Sequence, residues 1–137
     1  MMLEHEIKLR VRYSETDQMG YVYYGNYAQY FEVARVEALR SLGITYKELE
    51  EEGILLPVLE FTIRYIKPAY YDDQLTIKVR IPVLPKARIF FEYETFNESG
   101  ELLNNAATTL VFINKSTGKP CSAPKDVMRR MSKFYAG

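Results

Sequence analysis

At 137 residues, 47% of them hydrophobic and 26% charged, the chain has the size of a single domain, residues 1–137, with enough apolar material for a packed core. Eighteen Lys and Arg balance eighteen Asp and Glu, so no overall field gathers a polyanion and a nucleic-acid partner is not expected. One cysteine, Cys121, and one histidine, His5, exclude an intrachain disulfide, a thiolate or imidazole metal cluster and a Ser-His-Asp or Cys-His constellation, so chemistry must rest on carboxylates, hydroxyls or backbone dipoles.

The opening ten residues carry a charge every few positions, and no stretch approaches the roughly eighteen apolar residues of a membrane span. This predicts a cytoplasmic protein with no membrane partner. His5, in a segment expected to fray, and Cys121 read as incidental. Residues 6–13 then alternate, with Ile7, Leu9, Val11 and Tyr13 on one side and Lys8, Arg10 and Arg12 on the other, which predicts a half-buried strand. A polar loop follows over 14–25.

From residue 26 the period changes. Tyr27, Tyr30, Phe31, Ala34, Ala38 and Leu42 recur at three and four, predicting a helix over 26–42 with Asn26 as N-cap and Gly43 just past its end. Val33 and Val36 interrupt its polar side, which points to cover on more than one face. A short second helix is expected over 45–52, ending at Gly53. Strands are then predicted over 58–66, 74–82, 88–97 and 102–114, separated by turn residues and joined closely enough for antiparallel neighbours. A terminal helix over 124–134 would bury Val127, Met128, Met131 and Phe134.

Strand, long helix and a run of strands make an α+β protein with an antiparallel sheet. One sheet wrapped around one long central helix describes the hotdog fold, although a cystatin-like sheet on a helix has nearly the same order of elements.

Residues 13–27 read Y-S-E-T-D-Q-M-G-Y-V-Y-Y-G-N-Y, and F-E-V-A-R-V-E follows at 31–37. Together they resemble the 4-hydroxybenzoyl-CoA thioesterase family and its YbgC-like acyl-CoA thioesterases. The resemblance runs over almost the whole chain, since K-P-A-Y-Y-D-D at 67–73 lies where that family joins its second and third strands. It implies a hotdog enzyme that hydrolyses acyl-CoA without metal or redox cofactor, coenzyme A being part of the substrate. It also implies a homo-oligomer, a dimer or a dimer of dimers, whose sheet edge pairs with a second copy.

Residue by residue, the resemblance makes Asp17 the catalytic carboxylate, as nucleophile or as general base. A carboxylate is ionised at neutral pH and needs no histidine to serve in either role. The developing oxyanion needs donors, and the loop-to-helix transition at Tyr24, Gly25 and Asn26 offers unpaired amides at the positive end of the helix dipole. Tyr24 and Gly25 are the candidates. Tyr24 departs from the YbgC-like pattern, which usually has His there, while other members of the family carry different aromatics; this bears on an acid or base role for the side chain and not on its amide. Tyr23, Tyr27 and Tyr30, together with Asn26, are candidates for the acyl pocket, and Lys67, Lys86 and Arg88 for the phosphates of coenzyme A. Glu32 and Arg35 read as a solvated or interfacial ion pair. The alternative reading that the sequence leaves open is a non-catalytic acyl-thioester binding module, against which Asp17 argues because a binder has no need of it; an enoyl-thioester hydratase or dehydratase would look to an active-site histidine, and this chain has only His5.

Overall fold

Strict alternation of apolar and charged side chains makes the first element a strand. In the computed structural model, which describes residues 2–135, β1 runs Leu3–Arg10 and turns Leu3, His5, Ile7 and Leu9 inward. It starts earlier than the alternation predicts, so His5 does not fray but pairs with Val79 within a ladder. Its end also differs. Tyr13, expected on the inward side, is 77% exposed because the chain leaves the sheet after Val11 and enters one 3-10 turn, Tyr13–Glu15. The Arg12 amide donates to Glu15 Oε1 at 2.8 Å and the Glu15 amide to the Arg12 carbonyl at 2.9 Å, which closes that turn.

Helix α1, Asn26–Arg40, buries Tyr27, Tyr30, Phe31, Ala34 and Ala38 along one stripe. Phe31 stacks on Tyr93 with ring centroids 4.5 Å apart, and burying a side chain of this size stabilises the fold by about 1.5–3 kcal/mol. Gly25, not Asn26, occupies the N-cap, and Asn26 is the first helical residue. The helix ends before Leu42, and Gly43 adopts a φ of +80°, which lets the chain reverse. Of the two residues that interrupt the polar side of the helix, Val33 stays exposed and Val36 is half-buried. The expected Glu32–Arg35 ion pair forms, but its Arg35 end is not solvated. Arg35 is buried, its Nε donates to the Tyr46 hydroxyl at 3.3 Å, and the exposed Glu32 carboxylate lies 3.9 Å from its Nη2.

Helix α2, Tyr46–Glu51, is capped by the Thr45 hydroxyl, which accepts from the Glu48 amide at 3.1 Å. The strands that follow are β2 (Ile54–Leu55), β3 (Val58–Tyr65), β4 (Gln74–Ile81), β5 (Arg88–Phe96), β6 (Leu102–Val111), β7 (Ile113–Asn114) and β8 (Lys119–Pro120), and α3 (Lys125–Ser132) closes the described chain. The strand predicted over 102–114 is therefore two. The Phe112 amide turns away to the Ala87 carbonyl at 3.0 Å, which interrupts the ladder between β6 and β7.

Five strands form one antiparallel sheet in the order β1-β4-β5-β6-β3, and β2, β7 and β8 form a small second sheet. The strand after the helix thus lands at the far edge instead of beside β1, and α1 lies across the inner face between them. This is the hotdog arrangement. β3 has only β6 as a neighbour and leaves Val58, Leu59, Phe61 and Tyr65 exposed.

Candidate active site

Helix α1 points its N-terminus at the end of the sheet where Tyr65, Asn104 and Thr95 pair across β3, β6 and β5. The rings of Tyr27 and Tyr65 meet there with centroids 5.9 Å apart. The loop before the helix is folded onto this end by three contacts. The Val22 amide donates to the Ala69 carbonyl at 2.8 Å, Tyr21 bridges to Tyr70, and their rings meet edge to face at 5.6 Å. The segment 67–73 therefore serves as the seat of the loop that carries Asp17.

Between loop, helix start and β3 lies a cavity of about 430 Å³ lined by Asp17, Tyr21, Val22, Tyr24, Tyr27, Tyr65, Ile66, Lys67 and Pro68. Its walls are mainly apolar and aromatic, with one carboxylate and one ammonium group, the pattern expected for a ligand with an apolar end and a charged end. A groove of similar size crosses the outer face of the sheet, but its floor carries ion pairs such as Arg80–Glu94 at 3.0 Å and none of the candidate residues.

One oxygen of Asp17, Oδ1, accepts from the Met19 amide at 2.9 Å, and its backbone closes the same turn by accepting from the Gly20 amide at 3.0 Å. Oδ2 has no partner among the described residues. The next turn is arranged around free donors. The Tyr23 amide reaches the Glu15 carbonyl at 2.8 Å, the Asn26 amide the Tyr23 carbonyl at 2.9 Å and the Tyr27 amide the Tyr24 carbonyl at 3.2 Å. The amides of Tyr24 and Gly25, between them, have no acceptor among the described residues, and they stand at the positive end of α1.

Glu15, two residues before Asp17, is buried. Besides the Arg12 amide it accepts the Tyr30 hydroxyl on Oε1 at 2.9 Å and the Arg12 guanidinium on Oε2 at 3.2 and 3.3 Å. Its own carbonyl also takes the Asn26 Nδ2 at 2.8 Å. Tyr30 is consequently a core residue that reaches the loop from beneath and does not line the cavity. Burial, followed by the charge of Tyr65, pushes the Tyr27 phenol up to about 12, so it is a neutral hydroxyl at neutral pH.

Of the residues singled out from the sequence, Asp17, Tyr24, Tyr27 and Lys67 share the cavity, and Gly25 and Asn26 follow directly at the helix start. Tyr23 is exposed and lays its ring over Gly25. Lys67 is paired with Glu101. Lys86 and Arg88 are not brought to this site within the chain. Antiparallel pairing puts Arg88 opposite Val111, seven residues along β5 from Thr95, which is about 23 Å at roughly 3.3 Å per residue. Sequence reasoning did not single out Tyr65, Ile66 and Pro68 as cavity residues. The available signal was that apolar residues from 58 to 66 fall on both faces of a strand. Among the described residues, no three His, Cys, Asp or Glu side chains come together in a set that could hold a metal ion.

Residues 11–131 match the model of the thioesterase-like superfamily. The chain belongs to that superfamily. As a member of the thioesterase-like superfamily it is a thioester-hydrolysing enzyme, and its fold agrees in detail with solved relatives. A crystal structure of the DHNA-CoA thioesterase from Staphylococcus aureus has a TM-score of 0.92 and 35% identity, covering 96% of this chain and 91% of that one. The acyl-CoA thioester hydrolase YbgC of Escherichia coli is 32% identical over 120 residues, 88% of this chain and 90% of its own length. The Bacillus subtilis protein YneP is 34% identical over 113 residues, 82% of each.

Proposed function

We propose that this enzyme hydrolyses acyl-CoA to the free acid and coenzyme A, with Asp17 as the reacting carboxylate. The observation that carries the reading is a single cavity where the Asp17 carboxylate meets the turn of Tyr24 and Gly25, with one carboxylate oxygen and both of those amides unpartnered among the described residues. Asp17 either attacks the thioester carbonyl carbon or takes a proton from a water that does. The carbonyl oxygen gains charge as the tetrahedral intermediate forms, and the two amides stabilise it. Collapse breaks the C–S bond and expels coenzyme A as thiolate. Along the attack route an acyl-aspartyl anhydride would form and water would release it.

The acyl group would enter between Tyr27, Tyr65 and Ile66, and Lys67 would meet the phosphates of coenzyme A. Lys86 and Arg88 can serve the same phosphates only from a second copy of the chain. We read the enzyme as a cytoplasmic homo-oligomer. The exposed apolar edge of β3 supports assembly, because an unpaired strand of this kind calls for cover. No helix among the described residues is long and apolar enough to cross a membrane. His5 is on β1 and outside the cavity, which leaves hydration of an enoyl thioester without its histidine.

Thiol release from a panel of acyl-CoA substrates tests the mechanism. Replacing Asp17 with Asn should cut kcat by about 10²–10⁴-fold, the range for loss of a positioned base. Equal rates for the variant and the wild type would remove Asp17 from the chemistry. Release from no member of the panel by the wild type would favour a binding module in which Asp17 merely closes its turn on the Met19 amide.

A further inference from the structure

We propose that Glu15 is a positioning residue of this site, fixing the Asp17 loop against the turn that carries the Tyr24 and Gly25 amides. The inference rests on the role given to Asp17 above and concerns a residue that contributes nothing to the cavity wall. Glu15 ties together all three pieces of chain that meet there. Its carboxylate takes the Arg12 amide where the chain leaves the sheet and the Tyr30 hydroxyl on the second turn of α1. Its carbonyl takes the Tyr23 amide immediately before the free donors and the Asn26 side chain at the first helical position. Asp17 follows two residues later.

A buried carboxylate is costly unless its lone pairs are satisfied, so a residue serving only as a turn former would be cheaper as a neutral one. The Arg12 guanidinium, whose side chain is 80% exposed, does little to hold the carboxylate in place. The Arg12 amide and Tyr30 therefore do the holding, and both are fixed by backbone or core. The clamp sets the distance between the reacting carboxylate and the oxyanion donors. A displacement of about 1 Å between such groups can cost about 10²-fold in rate.

The test compares kcat and KM for thiol release in Glu15→Gln, Glu15→Leu, Tyr30→Phe, the Gln/Phe double variant and Asp17→Asn, each well below its unfolding midpoint. Tyr135→Phe is the control, since it removes a 2.7 Å bond from the Tyr135 hydroxyl to the Ile81 carbonyl far from the cavity. We expect Glu15→Leu to lower kcat by about 10²-fold and Glu15→Gln and Tyr30→Phe by about 10-fold, with KM within about threefold of the wild type. The double variant should lose less than the product of the single losses, because one contact is broken twice. Tyr135→Phe should keep its kcat.

Wild-type kcat in folded Glu15→Leu would overturn the proposal. So would an equal loss in Tyr135→Phe at matched thermal stability. If Glu15→Leu does not fold, full kcat in both Glu15→Gln and Tyr30→Phe has the same consequence. An active Asp17→Asn sinks the catalytic reading, and with it the clamp, whereas an inactive Asp17→Asn beside a fully active Glu15 series sinks the clamp alone.

Discussion

Gly25 has an ordinary φ, so its lack of a side chain matters for space and not for backbone strain. A β-carbon there would lie 2.7 Å from Cε2 of Tyr23. The exposed Tyr23 ring would have to swing aside and disturb its tilted contact with Tyr24 at 4.8 Å. Gly25→Ala should therefore lower kcat/KM by about 10-fold, and adding Tyr23→Ala should recover most of it, as measured by acyl-CoA hydrolysis. A second consequence concerns acid. Burial by itself raises the Glu15 carboxyl, but the Arg12 amide, the Tyr30 hydroxyl and the Arg12 guanidinium more than offset that, and it lies below its ordinary 4.5. The stability it contributes is complete above 4.5 and is lost as pH falls through the folded value. Denaturation midpoints followed from neutral pH down to about 3 should fall less steeply in Glu15→Gln than in the wild type. That Asp17, Tyr24 and Tyr27 share one cavity was readable at this scale because they lie in one short stretch with a dense pattern. Tyr30 is in the same stretch, but nothing local tells that its hydroxyl turns back to Glu15 instead of opening into the cavity.

The elements were readable where period decides. The stripe from Tyr27 to Ala38 gives α1, and alternation gives β4 and β5, whose residues from Leu75 to Ile81 and from Ile89 to Thr95 are buried at every second position. Boundaries set by contacts remote in sequence were not readable. Tyr13 continues the alternation of β1, yet the Arg12–Glu15 turn takes it out, and β2, β7 and β8 are two-residue strands that exist only through pairing with one another. The end of α1 is set by Gly43, where a β-carbon would also come within 2.5 Å of Arg130 Nη1, the atom that donates to the Leu42 carbonyl at 3.0 Å. Gly43→Ala combines left-handed strain of about 1–2 kcal/mol with loss of this bond to α3. Thermal unfolding should drop by several degrees while kcat at low temperature is kept.

Across the whole molecule, an α+β protein with one sheet on one helix followed from the order of elements, while the placement of β3 at the far edge did not. Sheet order also explains why two of the basic residues stand away from the cavity within one chain. Arg88 begins β5 and Lys86 lies just before it, whereas the strand's other end is the one aligned through Asn104 with Tyr65, and which end that is depends on sheet order, not on any local pattern. The exposed β3 makes a further expectation testable. Leu59→Lys or Phe61→Lys should shift the protein to a smaller species in sedimentation velocity, since a charge on an open edge opposes pairing. An unchanged sedimentation coefficient would show that β3 is not where copies meet.

β3 contributes Tyr65 to one wall of the cavity and leads directly into Ile66, so the open margin of the sheet and the pocket share a strand. A neighbour docking there would brace that wall from behind. Turnover per chain would then rise with enzyme concentration until every margin was occupied, and dilution alone would act as an inhibitor.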